Sequence, residues 1–135
     1  MKLLLINAIN TSISSETVFP NLGLAYLASF LHFHMSDIEI KIVDSNGENA
    51  DELLKKLSPD TVGLSAVSQN FDYVEKISGK CKRNQIPVFV GGIHISSLPE
   101  SLPETCDVGI IGEGEEATLD LIRCIAQNGM DKKAL

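Results

Sequence analysis

Short runs of Val, Ile and Leu alternate along this chain with segments of helical periodicity, and that alternation leaves few folds open. The runs fall at residues 2–6, 38–43, 61–65, 88–90 and 108–111. Several are apolar on both faces, as strands buried inside a parallel sheet are. Between them, residues 22–33 are apolar almost all round, so a well-buried helix is expected there. Asn49 followed by Glu52 resembles a capping box ahead of the stripe Ala50, Leu53, Leu54 and Leu57. Phe71, Val74, Ile77 and Cys81 form a second stripe, and Ala117, Leu121, Ile122 and Ile125 a third. Pro99 and Pro103 break the segment 96–105, which leaves room for one or two turns at most. The units predict an α/β fold with right-handed crossovers, a doubly wound parallel sheet of five strands. The flavodoxin-like (Rossmann-type) order 2-1-3-4-5 suits it, with a switch point between the first and third strands.

A length of 135 residues favours one domain. The formal net charge is -7 and no basic run is present, which argues against nucleic acid and anionic membrane as main partners. No apolar stretch approaches a membrane span, and the apolar run after Met1-Lys2 is too short for a signal core. Cys81, Cys106 and Cys124 form no CxxC pair and no CxxxCxxC motif. They read as mostly buried thiols of a reducing, cytoplasmic protein. Residues 1–127 read as the domain, and 128–135 as a frayed polar tail that could open a linker to a missing downstream domain.

Two of the apolar runs end in glycine. Val88-Phe89-Val90 leads into Gly91-Gly92-Ile93-His94, and the last run ends in Gly112-Glu113-Gly114-Glu115. Strands that stop in glycine let backbone approach a ligand, and open parallel sheets bind ligands at the carboxyl ends of their strands. The first such loop, residues 7–17, is long and rich in amides and hydroxyls. The third reads Ser65-Ala66-Val67-Ser68-Gln69-Asn70. These loops offer many hydrogen-bonding groups and few catalysts. No Ser-His-Asp set assembles, no P-loop occurs, and no GxGxxG follows the first strand. A metal site would need His94 with Glu113 or Glu115 at no recognisable ligand spacing. His32 and His34 sit where an imidazole favours a helix carboxyl end.

The chain resembles the N-terminal cobalamin (B12)-binding domain of class B radical SAM enzymes, a group that includes methyltransferases and the anaerobic Mg-protoporphyrin ester cyclases. The marks are Pro20-Asn21-Leu22-Gly23-Leu24-Ala25-Tyr26-Leu27-Ala28, Ile42-Val43-Asp44, Val62-Gly63-Leu64-Ser65, Val90-Gly91-Gly92-Ile93-His94 and Gly112-Glu113-Gly114-Glu115. The resemblance implies a corrin ring over the strand ends and a nucleotide tail threaded beside the sheet at the switch point. Ser65-Ala66-Val67 then contacts the tail, Gly91-Gly92 lets it pass along bare backbone, and the loop 112–115 closes the far side. The cofactor-binding residues so implied are Asn10, Thr11, Ser65, Ala66, Val67, Gly91, Gly92, His94, Gly112, Glu113 and Gly114. None is catalytic and none is a protein ligand to metal. A bulky residue at Gly92 is expected to abolish binding without unfolding the domain.

Related B12 domains carry DxHxxG after the first strand, where this chain has Asn7-Ala8-Ile9-Asn10. The cobalamin would therefore bind base-off with no histidine on cobalt. The 4Fe-4S cluster and S-adenosylmethionine would belong to a radical SAM domain of the same protein, so this chain alone is not expected to catalyse. A homodimer is a further possible assembly. Two other readings stand beside this one: a cofactor-free flavodoxin-like domain for interaction or substrate gating, and FMN-dependent electron transfer.

Overall fold

The computed structural model of the chain describes residues 1–18 and 20–128. Its sheet is built from β1 (Lys2–Ala8), β2 (Glu39–Ser45), β3 (Thr61–Ser65), β4 (Val88–Gly91) and β5 (Val108–Gly109), in the order 2-1-3-4-5. Every pairing is parallel. The fold is the doubly wound α/β arrangement expected from the apolar runs. The strand nuclei also agree, although β1, β2 and β4 run further toward their carboxyl ends than expected and β5 stops earlier.

Parallel neighbours cannot be joined by tight turns, so each connection crosses a face of the sheet. The helices are α1 (Ser14–Thr17), α2 (Leu22–His34), α3 (Ala50–Leu57), α4 (Phe71–Arg83), α5 (Ile93–Ser97) and α6 (Glu115–Asn128). One face packs on α2 and α6 through Leu3, Leu5, Leu31, Phe89 and Ile122. The other packs on α3, α4 and α5 through Leu4, Ile6, Val62, Leu64, Val74, Ile77 and Ile95. Alternate residues of each strand divide between these two cores, as the pleat requires. Removing so much aliphatic surface from water is what holds the layers together.

Several expectations need correction. Residues 22–34 do form a helix, but only Leu24 and Leu31 are buried in it; Leu22, Tyr26 and Phe33 are 74%, 63% and 86% exposed. A helix at the margin of a two-layer face buries one stripe, however apolar its remaining surface. Asn49 makes no capping bond, because its Oδ1 accepts from the Ser45 hydroxyl at 2.8 Å. In α6, Ala117 is exposed and Thr118 and Leu119 take the buried stripe instead. The segment 96–105 carries the end of α5 and a single 3-10 turn, Pro99–Ser101. Of the expected tail, Asn128 closes α6 and residues 129–135 lie outside the described part.

One row of the sheet is unusual. Leu5, Gly63 and Phe89 are register partners across β1, β3 and β4, facing α2 and α6. A Cβ on Gly63 would stand 2.7 Å from Phe89 Cε2 and 2.8 Å from Leu5 Cδ2. The phenyl ring therefore leans over the glycine and fills the place of its missing side chain. Gly63→Ala should destabilise the domain by about 1–3 kcal/mol through this overlap. Urea unfolding checks it, and Phe89→Leu in the same chain should recover part of the loss.

All three cysteines remain thiols. Burial in the α4 core pushes Cys81 up from 9.0 to about 12 and Cys106 to about 11. The folded state thus keeps protons that the unfolded chain releases above pH 9. Stability contributed by these thiols is whole below that pH and falls as pH rises toward 11 and then 12. The urea midpoint should decline over this window, and Cys106→Ala should make the decline shallower.

Candidate functional site

The row that holds Gly63 forms the inner floor of a cavity at the carboxyl end of the sheet. The next row outward is Asn7, Ser65 and Gly91, again register partners on the same face. Two of its three members, Ser65 and Gly91, carry little or no side chain into the space. Asn21, Leu24 and Leu27 of α2 form one wall, and Gly112, Glu113, Gly114, Glu115 and Thr118 the other. The cavity encloses about 220 Å³, and Ile110 and Phe89 close it on the β5 side.

Its polarity is graded. The inner end is aliphatic and aromatic: Leu5, Leu27, Phe89 and the bare backbone of Gly63. Backbone groups of β3 are engaged in the ladders to β1 and β4, so this end offers little to a polar ligand. Asn21, Ser65, Glu113 and Glu115 gather at the mouth, while Thr118 lies buried beside Gly114. Neither the Ser65 nor the Thr118 hydroxyl is taken up by a protein hydrogen bond among the described residues, although Thr118 is only 1% exposed. Both are positioned to bond a group lying between β3 and α6.

The α2 wall is fixed by a chain of amides. Asn21 Oδ1 accepts from the Leu24 backbone N–H at 3.0 Å, capping α2. Its Nδ2 donates to Asn7 Oδ1 at 3.0 Å, and Asn7 Nδ2 donates to Asp44 Oδ1 at 3.0 Å. The link ties the start of α2 to the ends of β1 and β2. On the other side, Gly112 holds φ +76° and donates its N–H to Ser96 Oγ at 2.9 Å. That left-handed turn lets the chain double back from β5 into α6.

Of the residues expected to bind, Ser65, Gly91, Gly92, Gly112, Glu113 and Gly114 line this cavity. Ala66 is buried in the opposite core, with its carbonyl 3.2 Å from where a Cβ on Gly92 would be. Val67 is exposed at the strand ends. His94 turns toward α4: its Nδ1 lies 2.9 Å from Ser68 Oγ and its ring stacks on Phe71 at 4.0 Å between centroids. Asn10 lies in the first loop and Thr11 is exposed beside it. The Asn10 N–H donates to Glu16 Oε2 at 2.7 Å, and that carboxylate also accepts from Asn70 and Gln69, docking the first loop on the third.

Gly92 holds φ +108° with Ser65 Oγ and Ala66 O close by, so any larger residue there strains the backbone itself. The expectation that a bulky side chain at Gly92 would spare the fold is corrected accordingly. Gly91 is different, because its Cβ position has ordinary room, 3.9 Å from Ile110. The cavity residues Gly63, Leu27, Phe89, Ile110 and Thr118 were not expected as site residues. A glycine inside an apolar strand was the available signal, since it marks close approach of another group.

The strand ends also form an apolar rim. Ile13, Val67, Ile93 and Ile111 are exposed, one from each loop that follows β1, β3, β4 and β5. Among the described residues no three His, Cys, Asp or Glu side chains group as metal ligands, and no helix is long and apolar enough to cross a membrane.

Comparison with known proteins agrees with this geometry. No curated protein matches the chain. Among solved structures, the cobalamin-dependent S-adenosylmethionine radical enzyme OxsB with aqua-cobalamin bound is similar at 23% identity and a TM-score of 0.67. The alignment covers 99% of this chain and 19% of that one. The same enzyme with S-adenosylmethionine also bound gives 23% identity and a TM-score of 0.66, over the same shares. The type II dehydroquinase from Butyrivibrio crossotus DSM 2876 shares the fold at 18% identity and a TM-score of 0.57, over 93% of this chain and 97% of that one. The chain thus spans about a fifth of OxsB, and these likenesses establish the fold. The family model described as B12 binding domain matches residues 11–122, which take in β2 to β5 and every cavity residue but Leu5 of β1, and the chain belongs to that family.

Proposed function

We propose that this chain holds a cobalamin base-off and positions it for a radical SAM domain of the same protein. The observation that carries the reading is the cavity between α2, α6 and the row Asn7, Ser65 and Gly91. It is narrow, open at the strand ends and walled partly by glycine, as a site for a flat base must be. Ser65 and Thr118 would hold the nucleotide tail through their hydroxyls. Gly91, Gly92, Gly112, Glu113 and Gly114 would let it pass against backbone. The apolar rim of Ile13, Val67, Ile93 and Ile111 would lie under the corrin, with Asn10, Thr11 and the backbone of Ala66 along its edge.

A bound corrinoid supplies methyl-group or redox chemistry that no side chain of this chain offers. The chain's own work is to bind, orient and exclude water. His94 is held against Ser68 and Phe71 and His34 against the Phe30 carbonyl, and exposed His32 lies with His34 in the last turn of α2. That arrangement supports a cobalt with no histidine from the protein. OxsB, a cobalamin-dependent radical SAM enzyme of which this chain matches 19%, supports a partner domain in the same polypeptide. The exposed Leu22, Tyr26 and Phe33 of α2 offer that domain, or a second copy, an apolar surface. Two deeply buried thiols suit a reducing, cytoplasmic setting.

Titration with hydroxocobalamin should show saturable binding and a visible spectrum shifted to the base-off form. Absence of binding at high concentration would favour the cofactor-free scaffold. Gly91→Leu should lower affinity by at least about tenfold, because its side chain projects into the tail space. Its urea midpoint should stay close to that of the wild type, whereas Gly92→Leu should lose stability as well.

A further inference from the structure

The far margin of the sheet carries an open pairing edge. β2 is an outermost strand, bonded to β1 on one side and to no strand on the other. Its Glu39 N–H donates to the Met1 carbonyl at 2.9 Å, and its Ser45 carbonyl accepts from the Ile9 N–H at 3.2 Å. The odd-numbered residues of β2 therefore turn their backbone groups toward β1. Ile40 and Ile42, by the alternation of a strand, turn theirs outward. Ile42 is 42% exposed, and Glu39, Lys41 and Asp44 are exposed with it. An open edge of this kind is a template for another strand.

We infer that this edge pairs with the same edge of a second copy of the chain, antiparallel across a two-fold axis at Ile40, and that Glu39 and Lys41 set the register. This pairing does not depend on the cobalamin reading above.

Charge decides both the occupant and the register. Glu39 and Lys41 lie on the same face of β2, where both border the small cleft beside Leu57 of α3. Neither side chain has an ion pair or hydrogen bond among the described residues. A lysine on an edge strand ordinarily repels a neighbour, but here a glutamate stands two residues before it on the same face. With Ile40 on the axis, each Glu39 lies directly opposite the second copy's Lys41. That position is the closely spaced, non-hydrogen-bonded one, where side chains meet. Ile40 exchanges both backbone bonds with its counterpart, and the Ile42 N–H meets the second copy's Ile38 carbonyl. The Ile38 N–H needs no partner there, because it donates to the Met35 carbonyl at 3.3 Å. On the α2 face, Ile42 comes beside the second copy's Ile38 and Ile40, which belong to the margin of that core.

The neighbouring registers fail. An axis at Lys41 sets lysine against lysine, and an axis at Ile42 sets Asp44 against Ile40 and leaves both charges without opposites. A two-fold contact is self-complementary and closes on itself, so the pairing stops at two chains. β2 lines no part of the ligand cavity, and the antiparallel arrangement points the two cavities in opposite directions. Each keeps its mouth free.

The contact is of the small, transient class, under about 1,200 Å², so the test is sedimentation equilibrium of the chain over a concentration series reaching about 1 mM. A monomer–dimer equilibrium is expected. Glu39→Lys and Lys41→Glu should each weaken it at least about tenfold, because like charges then face each other on both sides of the axis. The double variant Glu39→Lys/Lys41→Glu restores the opposition and should return the wild-type affinity. Both side chains are exposed, so all three variants should keep the wild-type urea midpoint. Hydrogen exchange supplies a second readout: the Ile40 and Ile42 amides should slow as concentration rises. A monomer at every concentration would overturn the inference. A dimer indifferent to the single reversals, as one formed through the exposed stripe of α2 would be, overturns it too. The same holds for a double variant that stays monomeric, and for Ile40 and Ile42 amides that exchange equally fast at all concentrations.

Discussion

The packing of Phe89 over Gly63 is the contact on which the rest of the site depends. In a doubly wound sheet each strand residue faces one of two cores, and a central strand ordinarily fills both. Here β3 gives Val62 and Leu64 to the α3 and α4 face, and at the middle of the other face only the backbone of Gly63, between Thr61 and Ser65. The missing side chain could have been compensated entirely by Phe89, but the compensation is local. One row outward, Ser65 and Gly91 leave the floor low, and the space between α2 and α6 stays open. A cavity in a two-layer core is expensive unless something else occupies it. The fold keeps this one at the strand ends, where the mouth reaches solvent and a ligand can complete the packing.

The walls show how such an opening is held in shape. The α2 wall is fixed by hydrogen bonds, through Asn21, Asn7 and Asp44. The α6 wall is fixed by backbone conformation, through the left-handed Gly112 and its bond to Ser96. The first loop is docked on the third by Glu16, which gathers Asn10, Gln69 and Asn70. Each device acts on a loop at the carboxyl edge. The amino edge has hydrogen bonds of its own, from the Lys2 N–H to Asp60 Oδ2 and from the Thr61 hydroxyl to the Pro87 carbonyl, but a much smaller cleft, beside Lys2 and Pro59. A ligand space at the carboxyl edge is the general property of parallel α/β sheets turned to a specific use.

Much of this was legible in the sequence, and the limits have physical reasons. Apolar runs and helical stripes marked every strand and the order of the sheet, because burial on two faces leaves a one-dimensional trace. The glycine-ended runs marked the correct edge and six cavity residues. The helix 22–34 misled, because uniform apolarity does not say which stripe meets the core when part of the surface is left uncovered. His94 misled in a second way: its position at the edge was right, but its side chain is held by Ser68 and Phe71, partners that only the third dimension brings near. Phe89 and Thr118 were silent, since one reads as ordinary core and the other as an ordinary helix residue. Their meaning lies in what faces them across the sheet.

The central claim is that the tail of a corrinoid lies in the cavity beside β3, and amide NMR tests it most directly. Spectra of the labelled chain would be recorded with hydroxocobalamin and with cobinamide, which has the corrin ring but no nucleotide tail. Hydroxocobalamin should shift the amides of Gly63, Ser65, Gly91 and Thr118, whereas cobinamide should shift only residues of the rim such as Val67 and Ile93. Equal shifts from both ligands, or none at Gly63 and Thr118 when hydroxocobalamin is bound, would contradict the account.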